Sequence, residues 1–190
     1  FVNQLALLTE KVIKPHKDET PSFYKFEFSQ IGIRENSEAA VICAEKEISD
    51  MTDIVIEMFE RIQKGLSQRN ETFISENMEQ LSATEDYADQ MQEEISKFLV
   101  NCQTLPLNDK LRNNISMMLR IVDDLESLTD DCYSVAVLIK RSVEKKMEFA
   151  QEDLERLDPY MDLVQHFLEF IKENINKPLN HEKLRLAEVM

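Results

Sequence analysis

With 37 acidic residues against 22 basic ones, the 190-residue chain carries a formal charge of −15, a surface that nucleic-acid phosphate repels. Two glycines, no tryptophan, and abundant Leu, Ile, Met, Glu and Lys make a helix-forming composition that points to an all-α protein. The length covers one domain or two small helical units, enough to bury a sizeable core.

The three cysteines, Cys43, Cys102 and Cys132, are far apart, odd in number and without a CxxC spacing. Each falls in or beside an apolar row, the placement of a free core thiol in a reducing compartment, with a ligand or redox role as the alternative. No run reaches the roughly 18–20 apolar residues of a membrane span, and nothing in the 190 residues reads as a signal peptide.

In chain order, FVNQLALL opens the sequence as an apolar stretch closely followed by Lys11, Lys14 and Lys17. That is the look of a chain leaving a membrane on its cytoplasmic side, and a frayed amphipathic helix is the alternative. Residues 14–36 read as a connector: Pro15 and Pro21 interrupt helix, and FYKFEF (23–28) alternates as an extended segment does. Ser37 suits the N-cap of a first helix whose Val41, Ala44, Ile48, Met51, Val55, Met58 and Ile62 form a heptad seam ended by Gly65 and SQRN (67–70).

A second helix spans about Glu71 to Cys102. Its apolar row is interrupted by Glu85 and Gln92, and a carboxylate in such a row needs a partner. The turn TLPLND (104–109) offers Asn108 or Asp109 as the next cap. A third helix then reaches about Lys146, its apolar face running from Leu111 to Ile139. A fourth starts near Phe149, with Glu152 and Asp153 at its positive end. Pro159 predicts either a kink or a restart capped by Asp158. After NKPLN (176–180) the sequence HEKLRLAEVM opens a further helix, cut after about two turns as in a piece of a longer chain. Short connections make neighbouring helices antiparallel.

The stretch DDLESLTDD (123–131) crowds five acids onto the third helix. Within it, Glu126 and Asp130 are four apart and share one helix face; Glu85 and Asp89 repeat that spacing on the second helix. In an antiparallel hairpin, residues equidistant from the turn face each other. The pair centres, 87 and 128, have their midpoint at 107.5, inside TLPLND. Four carboxylates can therefore converge between the two helices, an all-oxygen set suited to Fe, Mn, Mg or Ca and sometimes Zn. A solvated acidic face is the alternative. Asp123, Asp124 and Asp131 read as surrounding groups or plain surface.

Nothing in the chain reads as catalytic. A di-iron oxidase bundle needs two Glu-x-x-His motifs, and none of His16, His166 and His181 has Glu three residues before it. His166 reads as a helix-surface or half-buried residue, with phosphotransfer as the minor alternative. No Gly-rich phosphate loop or nucleophile arrangement stands out.

Three stretches together carry a resemblance: LPLNDKLRNNISMMLRIVDDLESLTD (105–130), EDYAD (85–89) and AEKEISDMTDIVIEMFERI (44–62). They are similar to helices three, two and one of the PhoU family. The resemblance implies a PhoU-like antiparallel bundle, with one complete three-helix repeat over 37–146 and the truncated start of a second over 147–190. It departs from the family pattern at Thr129, where glycine usually precedes the final Asp.

The segment FVNQLALLTEKVIKP, at the start of the 1–36 linker region, resembles the junction after the last membrane helix of bacterial sodium/phosphate cotransporters that carry a C-terminal PhoU-like domain. This implies a non-enzymatic regulatory domain on the cytoplasmic face of the bacterial inner membrane. Its expected partners are the membrane transporter domain of the same polypeptide and, as a further candidate, a second copy of the chain. The family's acid-x-x-x-Asp motifs imply metal, iron foremost, at Glu85, Asp89, Glu126 and Asp130. The competing expectation is a metal-free helical scaffold that mediates dimerisation or partner binding.

Overall fold

The 3-4 spacing of apolar residues after position 37 folds as one long helix, α1 (Ser37–Gln68), in a computed structural model that describes residues 23–26 and 37–190. Every member of its seam from Val41 to Ile62 is buried. Ser37, expected as the cap, is already the first helical residue. The opening FVNQLALL and its lysines lie outside the described residues.

Helix α2 (Glu71–Gln103) starts on Asn70, whose side chain accepts the Phe73 amide at 2.8 Å. Helix α3 (Asp109–Glu144) starts on Asn108, which accepts the Leu111 amide at 2.8 Å and so takes the cap in preference to Asp109. With such short connections consecutive helices run antiparallel, and each of the three packs on the other two. Leu81, Ala88, Ile95 and Leu99 of α2 meet Ile115, Val122, Leu125 and Ala136 of α3 in one core with the α1 seam. Cys102 and Cys132 are buried in it, Cys43 lies partly covered, and all three thiols are free. Burial pushes the Cys102 thiol up and the Cys132 thiol to about 12, so neither is a reactive thiolate at neutral pH.

Gly65 does not end α1; it lets α2 approach. A Cβ there would stand 2.5 Å from Cζ and 2.6 Å from Cε1 of Phe73, a ring only 2 % exposed. Alanine gains about 1 kcal/mol of helix propensity, but displacing a packed ring costs about 1–3 kcal/mol. Gly65→Ala is therefore expected to lower stability in a denaturant melt; equal or higher stability would mean that the ring yields freely.

The expected fourth helix is split. A short α4 (Gln151–Glu155) is followed by α5 (Asp158–Asn174), with Pro159 in its first turn. The proline thus causes a restart, not a kink, because its missing N–H is harmless at a helix start. The cap position falls on Leu157 and not on Asp158, which is the first helical residue. Helix α5 packs on α1, where Lys172 reaches Asp53 at 2.7 Å and the Asn176 amide donates to the Glu45 carbonyl at 2.9 Å. Of its apolar residues only Leu168 is buried, while Leu163, Val164 and Phe167 stay open to solvent. Helix α6 (His181–Val189) follows, capped by Asn180.

The described part of the connector is extended, as its alternation requires, and belongs to the core. Tyr24 and Phe26 are buried while Phe23 and Lys25 face out. The Tyr24 amide donates to Gln90 Oε1 at 3.1 Å, and its hydroxyl donates to Glu47 Oε2 at 2.6 Å. Its ring meets Tyr87 edge-on, and Phe26 lies 4.4 Å from Phe98 between centroids. Burial, then the Glu47 carboxylate, push the Tyr24 hydroxyl far above its usual range, so it stays a donor.

Candidate metal centre

The hairpin of α2 and α3 sets the level of the acids. Gln92 Nε2 donates to Asp123 Oδ1 at 2.9 Å. These two residues are equidistant from the same midpoint, 107.5, as Glu85 and Asp130, so the register inferred from the turn is the register found. Gln92, the second polar interruption in the α2 row, thus has its partner on α3.

One level away, Glu85, Asp89 and Asp130 each bring a carboxylate oxygen to within 4.8 Å of the others. Glu85 is half-buried, and the two aspartates are exposed. Glu126 lies outside this group, half-buried one turn earlier on α3, with the Ser127 hydroxyl 3.5 Å from its Oε2. It is nonetheless within electrostatic reach of Asp130 and Asp89.

The electrostatics are one-sided. Partial burial, then the negative charges of Asp89, Asp86 and Asp130, push the Glu85 carboxyl up to about 7, and Asp130 lies within hydrogen-bonding reach of it. Asp89 is raised by burial, Asp130 and Asp86, and Glu126 by burial, Asp130 and Asp89. Every charged neighbour that shifts these groups is another acid. The chemistry that relieves such a cluster is a shared proton or a cation. Ligand oxygens on opposite sides of a hard cation stand about 4–5 Å apart, so this donor set fits an ion with little rearrangement.

Asp86 was not singled out from the sequence, yet it adds negative charge to both Glu85 and Asp89; its signal was its position inside the EDYAD pair. Thr129 is fully buried, and its hydroxyl donates to the Glu126 carbonyl at 2.7 Å. Its side chain therefore fills core behind the cluster. His166 is exposed on α5, its Nδ1 2.7 Å from the Asp162 carbonyl.

Fold and site together define an all-α antiparallel bundle with a carboxylate cluster between two helices. The family model described as the PhoU domain matches residues 48–139, just under half of the chain. That segment runs from α1 into α3 and includes all four acids of the two pairs, and the match supports its membership of the PhoU family. No curated protein and no solved structure matches the chain. Among the described residues, no helix is long and apolar enough to cross a membrane.

Proposed function

We propose that the chain is the PhoU-like regulatory domain of a Na⁺-dependent inorganic phosphate transporter, held at the cytoplasmic face of a bacterial inner membrane. In this reading residues 1–36 lead from the membrane part, 37–146 form a complete PhoU-like repeat, and 147–190 begin a second. Glu85, Asp89 and Asp130, with Glu126 beside them, hold a metal, iron foremost, with Zn, Mn, Mg or Ca as alternatives. The single observation that carries the metal reading is three converging carboxylates, with only acids among the charged groups that shift Glu85 and Asp89. The phosphate-related regulatory role rests on the PhoU match over the same segment, and the transporter link rests on the resemblance of FVNQLALLTEKVIKP to a membrane junction.

The chain's part is regulatory and not catalytic. A bound cation would cross-link α2 and α3, and the bundle would bias the membrane domain only by binding two transporter states unequally. Na⁺-driven phosphate uptake in cells carrying the whole gene tests this. Asp130→Asn is expected to change uptake or its response to external phosphate while the protein level stays constant. Unchanged uptake, or an open reading frame without a membrane span ahead of Phe1, would remove the transporter reading.

A second reading is favoured by one observation: Tyr160, Leu163, Val164 and Phe167 leave an open apolar stripe on α5. A metal-free scaffold would use that stripe to hold a second copy or a partner. Loss of a dimer in Leu163→Glu, with no metal bound by wild type, would select it.

A further inference from the structure

Helices α2 and α3 meet at three successive levels that share the midpoint 107.5: Glu85 with Asp130, Asp89 with Glu126, and Gln92 with Asp123. Successive levels lie three or four residues apart, about 5 Å of helix rise. Five of the six residues are acids. The exception is Gln92, which also interrupts the apolar row of α2.

The amide changes what its level does. Acid set beside acid at the first two levels repels, and that repulsion is what a cation relieves. At the third level Gln92 Nε2 donates to Asp123 Oδ1 at 2.9 Å. A hydrogen bond to a carboxylate is among the stronger ones, so this level ties α2 to α3 by itself. The bond also engages an oxygen of Asp123. A cation at this level would have to displace the Gln92 amide, and it would meet one negative charge there instead of two.

The placement of the acids agrees. The three carboxylate oxygens within 4.8 Å of one another belong to Glu85, Asp89 and Asp130, at the end of the row away from Gln92. Burial, then Asp130 and Asp89, push the Glu126 carboxyl up, and Asp123 comes last among the acids that act on it. Yet only three residues separate Asp123 from Glu126, against four for Asp130. Asp123 is thus held apart from the other four acids, and its hydrogen bond is what holds it.

We propose that Gln92 sets the capacity of the site: by holding Asp123 it closes the row of acids, so that α2 and α3 take one cation, at Glu85, Asp89 and Asp130. A carboxylate at position 92 would free Asp123 and open a second site, with Asp89 and Glu126 as its other ligands. This rests on the cation reading of the acid pairs and adds what limits them to a single ion.

Fe(II), Mn(II), Zn(II), Mg(II) and Ca(II), each titrated by calorimetry into the metal-free chain, test the proposal through the number of ions bound. The wild type is expected to bind one ion and Gln92→Glu two. Adding Asp123→Asn to Gln92→Glu should weaken the second ion by about tenfold or more, 1.4 kcal/mol per decade. Asp123→Asn alone still accepts from Gln92, so it should bind one ion with affinity within about threefold of the wild type, the screened effect of one exposed charge. Two ions on the wild type overturn the proposal, and so does a larger loss in Asp123→Asn; both results stand even if Gln92→Glu does not fold. One ion on the wild type and on Gln92→Glu alike overturns the proposal and leaves the cation reading in place. No ion on the wild type overturns both.

Discussion

Replacing Glu85 with glutamine is expected to stabilise the metal-free protein at pH 8 and to abolish most of the stabilisation that a divalent cation confers on the wild type. The Glu85 carboxyl is raised from 4.5 to about 7 in the fold. Between these values the folded chain holds a proton that the unfolded chain has released, so stability falls as pH rises through the window. The cost is fully present above about 7 and absent below 4.5. Asp89 and Glu126 are raised too and act with the same sign. Because the cluster is partly solvated, screening trims the Glu85 contribution to on the order of 1 kcal/mol.

Glutamine removes that cost, so its metal-free melting temperature should vary less between pH 5 and 8 than that of the wild type. A cation displaces the proton and reverses the balance. At a hundredfold excess over its Kd, a cation stabilises the wild type by about 2.7 kcal/mol, and its affinity rises with pH up to about 7, where Glu85 gives up its proton. Thermal melts with and without chelator across pH check both arms. A flat wild-type profile, or a Glu85→Gln variant less stable than the wild type without metal, would show that the carboxylates are not strained.

Phe26→Ala should destabilise the bundle by about 3–5 kcal/mol, although Phe26 lies in a segment that reads as a linker. Its ring is 1 % exposed and packs on Phe98 of α2. Tyr24→Phe, which strips the hydroxyl donor from Glu47, a carboxylate only 7 % exposed, should cost about 1–3 kcal/mol. If residues 23–26 are integral to the core, both variants shift one cooperative denaturation curve, and amide exchange speeds up along α2 around Gln90. If Phe26→Ala costs less than about 1 kcal/mol, the segment detaches alone and the three helices stand without it.

The parts of this architecture legible in the sequence are those set by periodicity and turn length. The α1 seam was readable because a strict 3-4 spacing on a helix admits one buried stripe, and all seven of its residues are buried. The level of the acid pairs was readable because a short turn fixes the register of an antiparallel hairpin, and the Gln92–Asp123 bond lies on that register. Facing is a different quantity from level. Glu126 shares its level with Asp89 but stays outside the group of three, since i, i+4 spacing does not say which side chain leans across to the other helix.

Alternation in FYKFEF showed that one face of an extended segment is covered but not by what; Tyr87, Gln90 and Phe98 are far along the chain. Leu154, Leu157, Met161, Val164 and Leu168 keep a 3-4 spacing across Pro159, and this row hid the break between α4 and α5 because it continues through the two-residue restart.

Titrating Fe(II), Mn(II), Zn(II), Mg(II) and Ca(II) into metal-free protein puts the cation site between α2 and α3 to the test. The wild type and the Asp89→Asn and Glu126→Gln variants are compared in parallel. At least one of these ions is expected to bind and to raise the melting temperature. Asp89→Asn should lose affinity by about tenfold or more, 1.4 kcal/mol per decade, and Glu126→Gln by less. No binding of any of the five ions, with both variants as stable as the wild type or more so with and without chelator, would contradict the cation site.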